Sequence, residues 1–362
     1  MISYDEALKI IRAAAGKATA TTCALAKAQG RVLATPIIAN ANLPAFDNSA
    51  MDGFAMRANG FAGEIRLSVE QSIAAGDTPT ASAATGAVEI MTGAPVPAWC
   101  ETVVPVENVR VGPQAGTITV DGPIAINRHI RRAGEDVAVG DPLLDVGHQI
   151  SAEDMMMLAA LGVDRVPVLA QPKIAVISTG AELVDDANVP LAPGQIRNSN
   201  QPFLVAALQN WSVTVVAMPG HPDEEKAFNL TLQQAMDDGA KLIISTGAVS
   251  MGKRDFVPAA LEAIGATLLF HKCQIRPGKP ILIAKLPNGA LFFGLPGNPM
   301  SAVVGLRFFV VPVLREILKL GKEPVQKAKL VGRFSKHHQL RMFAKAKQIN
   351  DDGVLRVEVL SG

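Results

Sequence analysis

The stretch Lys173-Ile174-Ala175-Val176-Ile177-Ser178-Thr179-Gly180 decides the fold. Its apolar run is continuous and rich in β-branched residues, so a strand built from it has no face suited to water. Such strands belong to parallel sheets covered by helices on both sides. The texture returns at Lys241-Leu242-Ile243-Ile244-Ser245-Thr246-Gly247 and at Leu291-Phe292-Phe293-Gly294, with a further strand at Val213–Ala217. Helical patterns alternate with these runs: Asn200–Gln209, Asp223–Met236 after Pro222, Phe256–Ile264 and Met300–Leu318. From Pro172 onward the alternation predicts a three-layer α/β domain with a mainly parallel sheet.

Upstream the texture differs. Residues 3–14 carry apolar side chains at Ala7, Leu8, Ile10, Ile11 and Ala14, with Ser3 and Glu6 spaced as a capping box, which predicts a first helix. Arg31 to Ile38 alternates like a strand. Up to Val139, short strand-like runs at Ile65–Val69, Ala87–Met91, Thr102–Val106 and Thr117–Val120 are separated by Gly, Pro and Asn/Asp turns, which reads as a β-rich domain. Ser151 precedes an amphipathic helix ended by Gly162, a strand follows at Arg165–Leu169, and 327–362 reads as a small β-rich tail.

Composition bounds the function. At roughly 150 residues per domain, 362 residues imply two to three domains. The 34 Lys plus Arg against 33 Asp plus Glu leave a net charge of +1, and aromatics are 4%, so neither a polyanion-binding surface nor base-stacking platforms are indicated. The mean hydropathy is +0.25, yet no uninterrupted apolar run reaches the ~18 residues of a spanning helix. Asp5 and Glu6 stand where a signal peptide carries bases, which points to the cytoplasm. Cys23, Cys100 and Cys273 are far apart and form no C-x-x-C pair, so they read as reduced thiols.

In an open α/β sheet, ligands bind where strands end and loops lead into helix N-termini. Three loops of that kind are polar and glycine-bearing: Ser178-Thr179-Gly180-Ala181-Glu182-Leu183; Ser245-Thr246-Gly247 running on through Ser250, Lys253, Arg254 and Asp255; and Leu295-Pro296-Gly297-Asn298-Pro299-Met300-Ser301. Any one alone is an ordinary turn with a helix cap; three together, two repeating Ser-Thr-Gly, read as an anion-binding site. Glu182 and Asp255 would then hold Mg²⁺ across a pyrophosphate, with Lys253, Arg254, Arg276 and Lys279 neutralising its oxygens, the alternative being surface ion pairs. The P-loop and G-x-G-x-x-G patterns, H-E-x-x-H and G-x-S-x-G are all absent; adjacent His337-His338 would diverge on a regular element.

With these loops in view the sequence resembles the molybdopterin molybdenumtransferase family, which includes the E domain of gephyrin. The resemblance runs from about Ser3 to the C-terminus and rests on FDNSAMDGFA (46–55), MTGAPVP (91–97), RRAGEDV (131–137), STGAEL (178–183), GQIRNSN (194–200), VSMGKRDF (249–256), RPGKP (276–280) and GLPGNPMSA (294–302). It implies insertion of molybdate into adenylylated molybdopterin with release of AMP, a Mg²⁺-dependent step of molybdenum cofactor biosynthesis. It implies a homodimer with the active site at the interface and a transient contact with the molybdopterin adenylyltransferase, with no nucleic-acid or membrane partner.

Four domains are implied: a hinge domain (1–45 plus 140–171), an inserted β-rich domain (46–139), the α/β molybdopterin-binding domain (172–322) and a small C-terminal β domain (323–362). By motif position the acids are Glu182, Asp255, Asp52 and Asp136, the first two also holding the metal. Substrate and phosphate contacts fall to Thr92, Gly93, Ser178, Thr179, Gly180, Ser245, Thr246, Gly247, Ser250, Lys253, Gly297 and Asn298. The molybdate pocket falls to Arg276, Lys279, Pro280, Ser301 and Arg341. The chain departs from the family pattern at His221 and Ala181, where acids are common, at Ala248, where Gly is, and at Arg276, where Lys is. It also stops at Val359-Leu360-Ser361-Gly362 where members often continue, so its last domain is expected to be incomplete. A non-catalytic molybdopterin-binding carrier or sensor is the alternative these departures leave open.

Overall fold

A computed structural model describes residues 1–58, 63–80, 85–220, 224–249, 256–335, 339–351 and 353–360. The chain forms two compact units, Met1–Thr35 with Val146–Ala152 and Arg165–Gly362, and Pro36–Asp145 with Glu153–Asp164.

In the first unit, β1 (Lys173–Ser178), α1 (Asn200–Gln209), β2 (Thr214–Ala217), α2 (Glu225–Asp237), β3 (Leu242–Thr246) and α3 (Val257–Ala263) alternate as the sequence predicts. They are followed by β4 (Thr267–His271), β5 (Leu282–Lys285), β6 (Leu291–Leu295) and α4 (Pro299–Gly305). The six-stranded sheet runs β2-β1-β3-β6-β5-β4. β2, β1, β3 and β6 pair in parallel, whereas β5 is antiparallel to both β6 and β4. Neither β4 nor β5 is evident in the sequence, because each is a run of only four or five residues, β4 following Gly265 closely and β5 lying between Pro280 and Pro287.

Strand alternation divides the core. Ile174, Val176, Leu242, Ile244 and Phe293 pack against α1, the helix Tyr4–Ala14 and the helical run after Pro299. Ala175, Ile177, Ile243 and Phe292 pack against α2 and α3 through Phe228, Leu232, Val257 and Leu261. The first helix starts at its predicted N-cap, with the Ser3 hydroxyl accepting the Glu6 N–H at 3.2 Å. After α4 the helix widens into a π turn at Leu306–Val310 and resumes as α5 (Val311–Ile317). Pro312 lacks the N–H that would reach back to the Phe308 carbonyl, and the Tyr4 hydroxyl donates to that carbonyl at 3.3 Å. The Tyr4 ring meets Phe308, Phe309 and Phe343 edge to face. Residues 329–331, 346–351 and 354–359 form a three-stranded sheet.

The strand expected over Arg31–Ile38 is shorter than its alternation suggests. Val32 and Leu33 make single bridges, and only Ile37–Ile38 pairs as a strand, with Pro142–Leu144. Pro36 between them has no N–H for a ladder.

The second unit holds a six-stranded sheet in the order 102–105, 53–56, 87–90, 64–73, 117–121, 109–111. Ala55, Val88 and Val103 point to one core, and Phe54, Met56, Ile118 and Val120 to the other. A Cβ on Gly53 would stand 2.1 Å from the Val104 carbonyl oxygen, so this strand crossing admits only glycine.

The three cysteines are unpaired, and burial pushes the Cys100 thiol up to about 12 and the Cys273 thiol up to about 11. Among the described residues no helix is long and apolar enough to cross a membrane.

Candidate active site

β1, β3 and β6 are neighbours whose register aligns Ser178 with Thr246 and Thr246 with Leu295, so all three end at one level. Their following loops therefore converge. Between them lies a cleft of about 450 Å³ lined by Thr179, Gly180 and Glu182 from the first loop, Thr246, Gly247 and Ala248 from the second, and Gly297 and Asn298 from the third. The polypeptide from Ile196 to Asn200 forms another wall.

The loops are stitched together by backbone bonds. The Thr179 N–H and hydroxyl both donate to the Thr246 carbonyl, at 3.0 and 3.1 Å, and the Gly247 N–H donates to the Leu295 carbonyl at 3.0 Å. Gly247 has φ +96°, and a Cβ there would lie 2.3 Å from the Thr179 carbonyl oxygen. Ala248 follows with φ +50°, a conformation that an L side chain adopts at a cost and that glycine adopts freely. Asn298 caps α4, its Oδ1 accepting the Met300 N–H at 3.0 Å, and Pro299 opens the helix. The Gly297 and Asn298 N–H groups donate to no other group among the described residues.

Beneath the cleft runs a polar chain. The Thr246 hydroxyl donates to the Ser178 hydroxyl at 3.5 Å, which donates to Asn198 Oδ1 at 3.4 Å, and Asn198 Nδ2 donates to Asp185 Oδ1 at 2.8 Å. Ser178 is thus a fully buried support. Ser245 is also fully buried, on the opposite sheet face, with a hydroxyl that has no partner among the described residues. Neither hydroxyl lines the cleft.

Glu182 is exposed at the rim, and its carboxylate oxygens lie 2.8 and 2.9 Å from where a Cβ on Gly180 would stand, so Gly180 leaves it room. Arg197 also lines the cleft, but its guanidinium donates to the carbonyls of Asp186, Ala187 and Val189 at 2.6, 3.2 and 2.7 Å. Ser250, Lys253, Arg254, Asp255, His221, His337 and His338 lie outside the described residues. Among the described residues no group of three or more His, Cys, Asp and Glu side chains gathers.

Because β5 is antiparallel to β6, with Leu282 opposite Gly294, its first residue lies at the edge where the parallel strands end. The Arg276–Pro280 turn leading into it is thereby carried to the cleft edge of the sheet. A Cβ on Gly278 would be 3.8 Å from the Ser301 carbonyl oxygen, which ties this turn to α4. Arg276 and Lys279 are exposed, Pro280 is half-buried and Ser301 is buried. Arg341 pairs with Asp5 at 3.2 Å and lies 4.7 Å over the Tyr4 ring, so its guanidinium is held at the first helix.

In the second unit, Asp52 Oδ1 accepts the Thr92 N–H at 2.7 Å and the Thr92 hydroxyl at 2.8 Å. The backbone bond, then the hydroxyl, hold its carboxyl below the ordinary carboxylate value. Gly93, at φ +79°, completes the turn. Asp136 forms an ion pair with Arg131. Nearby, Asp47 accepts from the Ala133 N–H at 2.8 Å and pairs with Arg132 at 2.5 Å; chiefly the backbone bond lowers its pKa.

Sequence reasoning passed over the tasks of Asp185, Arg197, Asn198, Asn200 and Gln201. The available signal was the density of amides just before a helix that needs only one cap.

Comparison with known proteins places these features in a family. Residues 2–162 match the model of the MoeA N-terminal region (domain I and II), and residues 175–316 match that of a probable molybdopterin binding domain. The chain is 40% identical to the molybdopterin molybdenumtransferase of Synechococcus elongatus over 87% of its own length and 80% of that protein. It is 39% identical to that of Haemophilus influenzae over 81% of its own length and 72% of that protein. Among solved structures, the molybdopterin biosynthesis MoeA protein of Pyrococcus horikoshii superposes with a TM-score of 0.82 at 27% identity, covering 99% of this chain and 89% of that one.

Proposed function

Since the chain belongs to the molybdopterin molybdenumtransferase family, we propose that it inserts molybdate into adenylylated molybdopterin at the cleft above β1, β3 and β6 and releases AMP. The observation that carries the reading is the convergence of three glycine-bearing loops on one cleft, with the Gly297 and Asn298 N–H donors available to a ligand. Backbone N–H groups at a helix start suit pyrophosphate oxygens.

Glu182 fits a Mg²⁺ role by its chemistry. It is a hard oxygen donor exposed at the cleft, it has no cationic partner among the described residues, and Mg²⁺ commonly takes one or two carboxylates together with substrate phosphates. Asp255 is its proposed companion. Bound there, Mg²⁺ would supply charge neutralisation at the pyrophosphate. Lys253, Arg276 and Lys279 would bind the anionic oxygens of pyrophosphate and molybdate, beside Pro280, Ser301 and Arg341. Asp52, kept ionised by its Thr92 bonds, and Asp136 would act from the inserted β domain of a partner copy, in a cytoplasmic homodimer of four-domain chains. The adenylyltransferase that makes the substrate would be a transient partner.

The test is AMP release from adenylylated molybdopterin, with and without Mg²⁺ and molybdate, followed by reconstitution of an apo-molybdoenzyme. Wild type should need both ions, and Glu182→Gln should lower the rate about a hundredfold. Tight binding of the substrate without AMP release would make the protein a carrier and overturn the proposal.

A further inference from the structure

The run Arg197-Asn198-Ser199-Asn200-Gln201 aims its side chains at several separate segments of the first unit. Arg197 gathers the carbonyls of 186–189, and Asn198 joins Asp185 to the buried hydroxyls under the cleft. Gln201 Nε2 donates to the Val176 carbonyl at 3.0 Å and to the Met218 carbonyl at 2.7 Å, holding the ends of β1 and β2 together. Asn200 reaches farthest: its Nδ2 donates to the Gly297 carbonyl at 2.7 Å, across 97 residues of chain.

That last bond joins the start of α1 to the turn that starts α4. It is the polar side-chain contact that the 196–200 wall makes with the 296–298 turn among the described residues, and both ends line the cleft. Asn298 uses its own side chain on the Met300 N–H, so it does not hold the turn against the opposite wall. The Gly297–Asn298 peptide joins a glycine, which has no side chain to pack, to the residue that caps α4, and Asn200 supplies a side-chain hydrogen bond to its carbonyl.

We infer that Asn200 is a positioning residue for the reaction: its carboxamide fixes the peptide that follows Gly297 and so aims the Asn298 N–H into the cleft. The inference rests on the cleft being the adenylylated molybdopterin site. Donors that hold a phosphate act in the ground state and in the transition state alike, so their misplacement falls on KM.

The experiment compares Asn200→Ala, Asn200→Asp and Asn200→Gln with wild type in the full-length protein, measuring AMP release, equilibrium binding of adenylylated molybdopterin, and the thermal midpoint. Asn200→Ala should raise KM and Kd about tenfold, the scale of one lost net hydrogen bond. Asn200→Asp, which sets an acceptor against the Gly297 carbonyl, should raise them further, and Asn200→Gln, which keeps the amide on a longer arm, should recover part of the loss. A merely structural role would lower the thermal midpoint and the active fraction and leave KM unchanged. Unaltered KM and Kd in the isosteric Asn200→Asp variant would overturn the inference, even if Asn200→Ala failed to fold. Wild type that binds the substrate without releasing AMP would instead count against the proposed reaction, and the Kd series would still decide the role of Asn200.

Discussion

Replacing Gly247 by Ala perturbs the point where the first two loops touch, and a second glycine supplies the control. Gly247 and Gly289 both have left-handed backbones, φ +96° and +84°, but a Cβ at 247 would meet the Thr179 carbonyl oxygen at 2.3 Å whereas a Cβ at 289 would meet nothing within 4 Å. Gly289→Ala therefore isolates the conformational cost, about 1–2 kcal/mol. Gly247→Ala carries the same cost plus the displacement of Thr179. The Thr179 N–H and hydroxyl are both tied to the Thr246 carbonyl, so moving that residue strains two hydrogen bonds at about 1 kcal/mol each. The sum is about 3–4 kcal/mol. Urea unfolding followed by the far-UV signal measures both variants, and substrate titration measures the cleft. Gly247→Ala should be the less stable by about 2 kcal/mol and should bind adenylylated molybdopterin more weakly, while Gly289→Ala should bind as wild type does. Equal destabilisation by the two substitutions would refute the argument that the Thr179 contact requires glycine.

Two further predictions concern titration. The chain has one tyrosine, and burial is the main cause that raises the Tyr4 pKa above its ordinary 10.0, partly offset by Arg341. The tyrosinate absorbance should have its midpoint above 10.0 in the folded protein, and a midpoint at or below that value would contradict the aromatic packing. A raised value means that this contribution to stability is present below the unfolded pKa and is lost as pH rises through the folded one. For Asp52 the sign reverses: its depressed pKa makes a contribution that is present above the unfolded value and is lost as pH falls through the folded one. Carboxyl NMR titration should find Asp52 below the ordinary range, and Thr92→Ala should return it only part of the way because the Thr92 N–H bond remains; a full return would show that the hydroxyl alone is responsible.

The legible part of the fold was that written in local pattern. β1, β3 and β6 announce themselves as apolar runs because they are buried on both faces, and the helices between them by their pattern, whereas β2 at the sheet edge is only half-buried. Asn200–Gln209 is a helix over the span the periodicity predicts. Among candidate site residues, Thr179, Gly180, Glu182, Thr246, Gly247, Gly297 and Asn298 lie together at the cleft. Ser178 and Ser245 share the same motifs yet sit below it, because side chains in a strand alternate between faces and the loop begins only after them.

Other features depend on partners remote in sequence. The antiparallel insertion of β5 between β4 and β6, and the arrival of the Arg276–Pro280 turn at the ligand edge, follow from sheet order, which short flanked runs do not encode locally. The Asn200–Gly297 and Tyr4–Phe308 bonds, spanning 97 and 304 residues, follow from packing. Local chemistry chose the strands, the helices and the glycine-bearing loops, since propensity and burial act residue by residue. Which amide meets which carbonyl was decided only when the layers closed, because a hydrogen bond needs its partner within about 3 Å and that distance exists only in the folded chain.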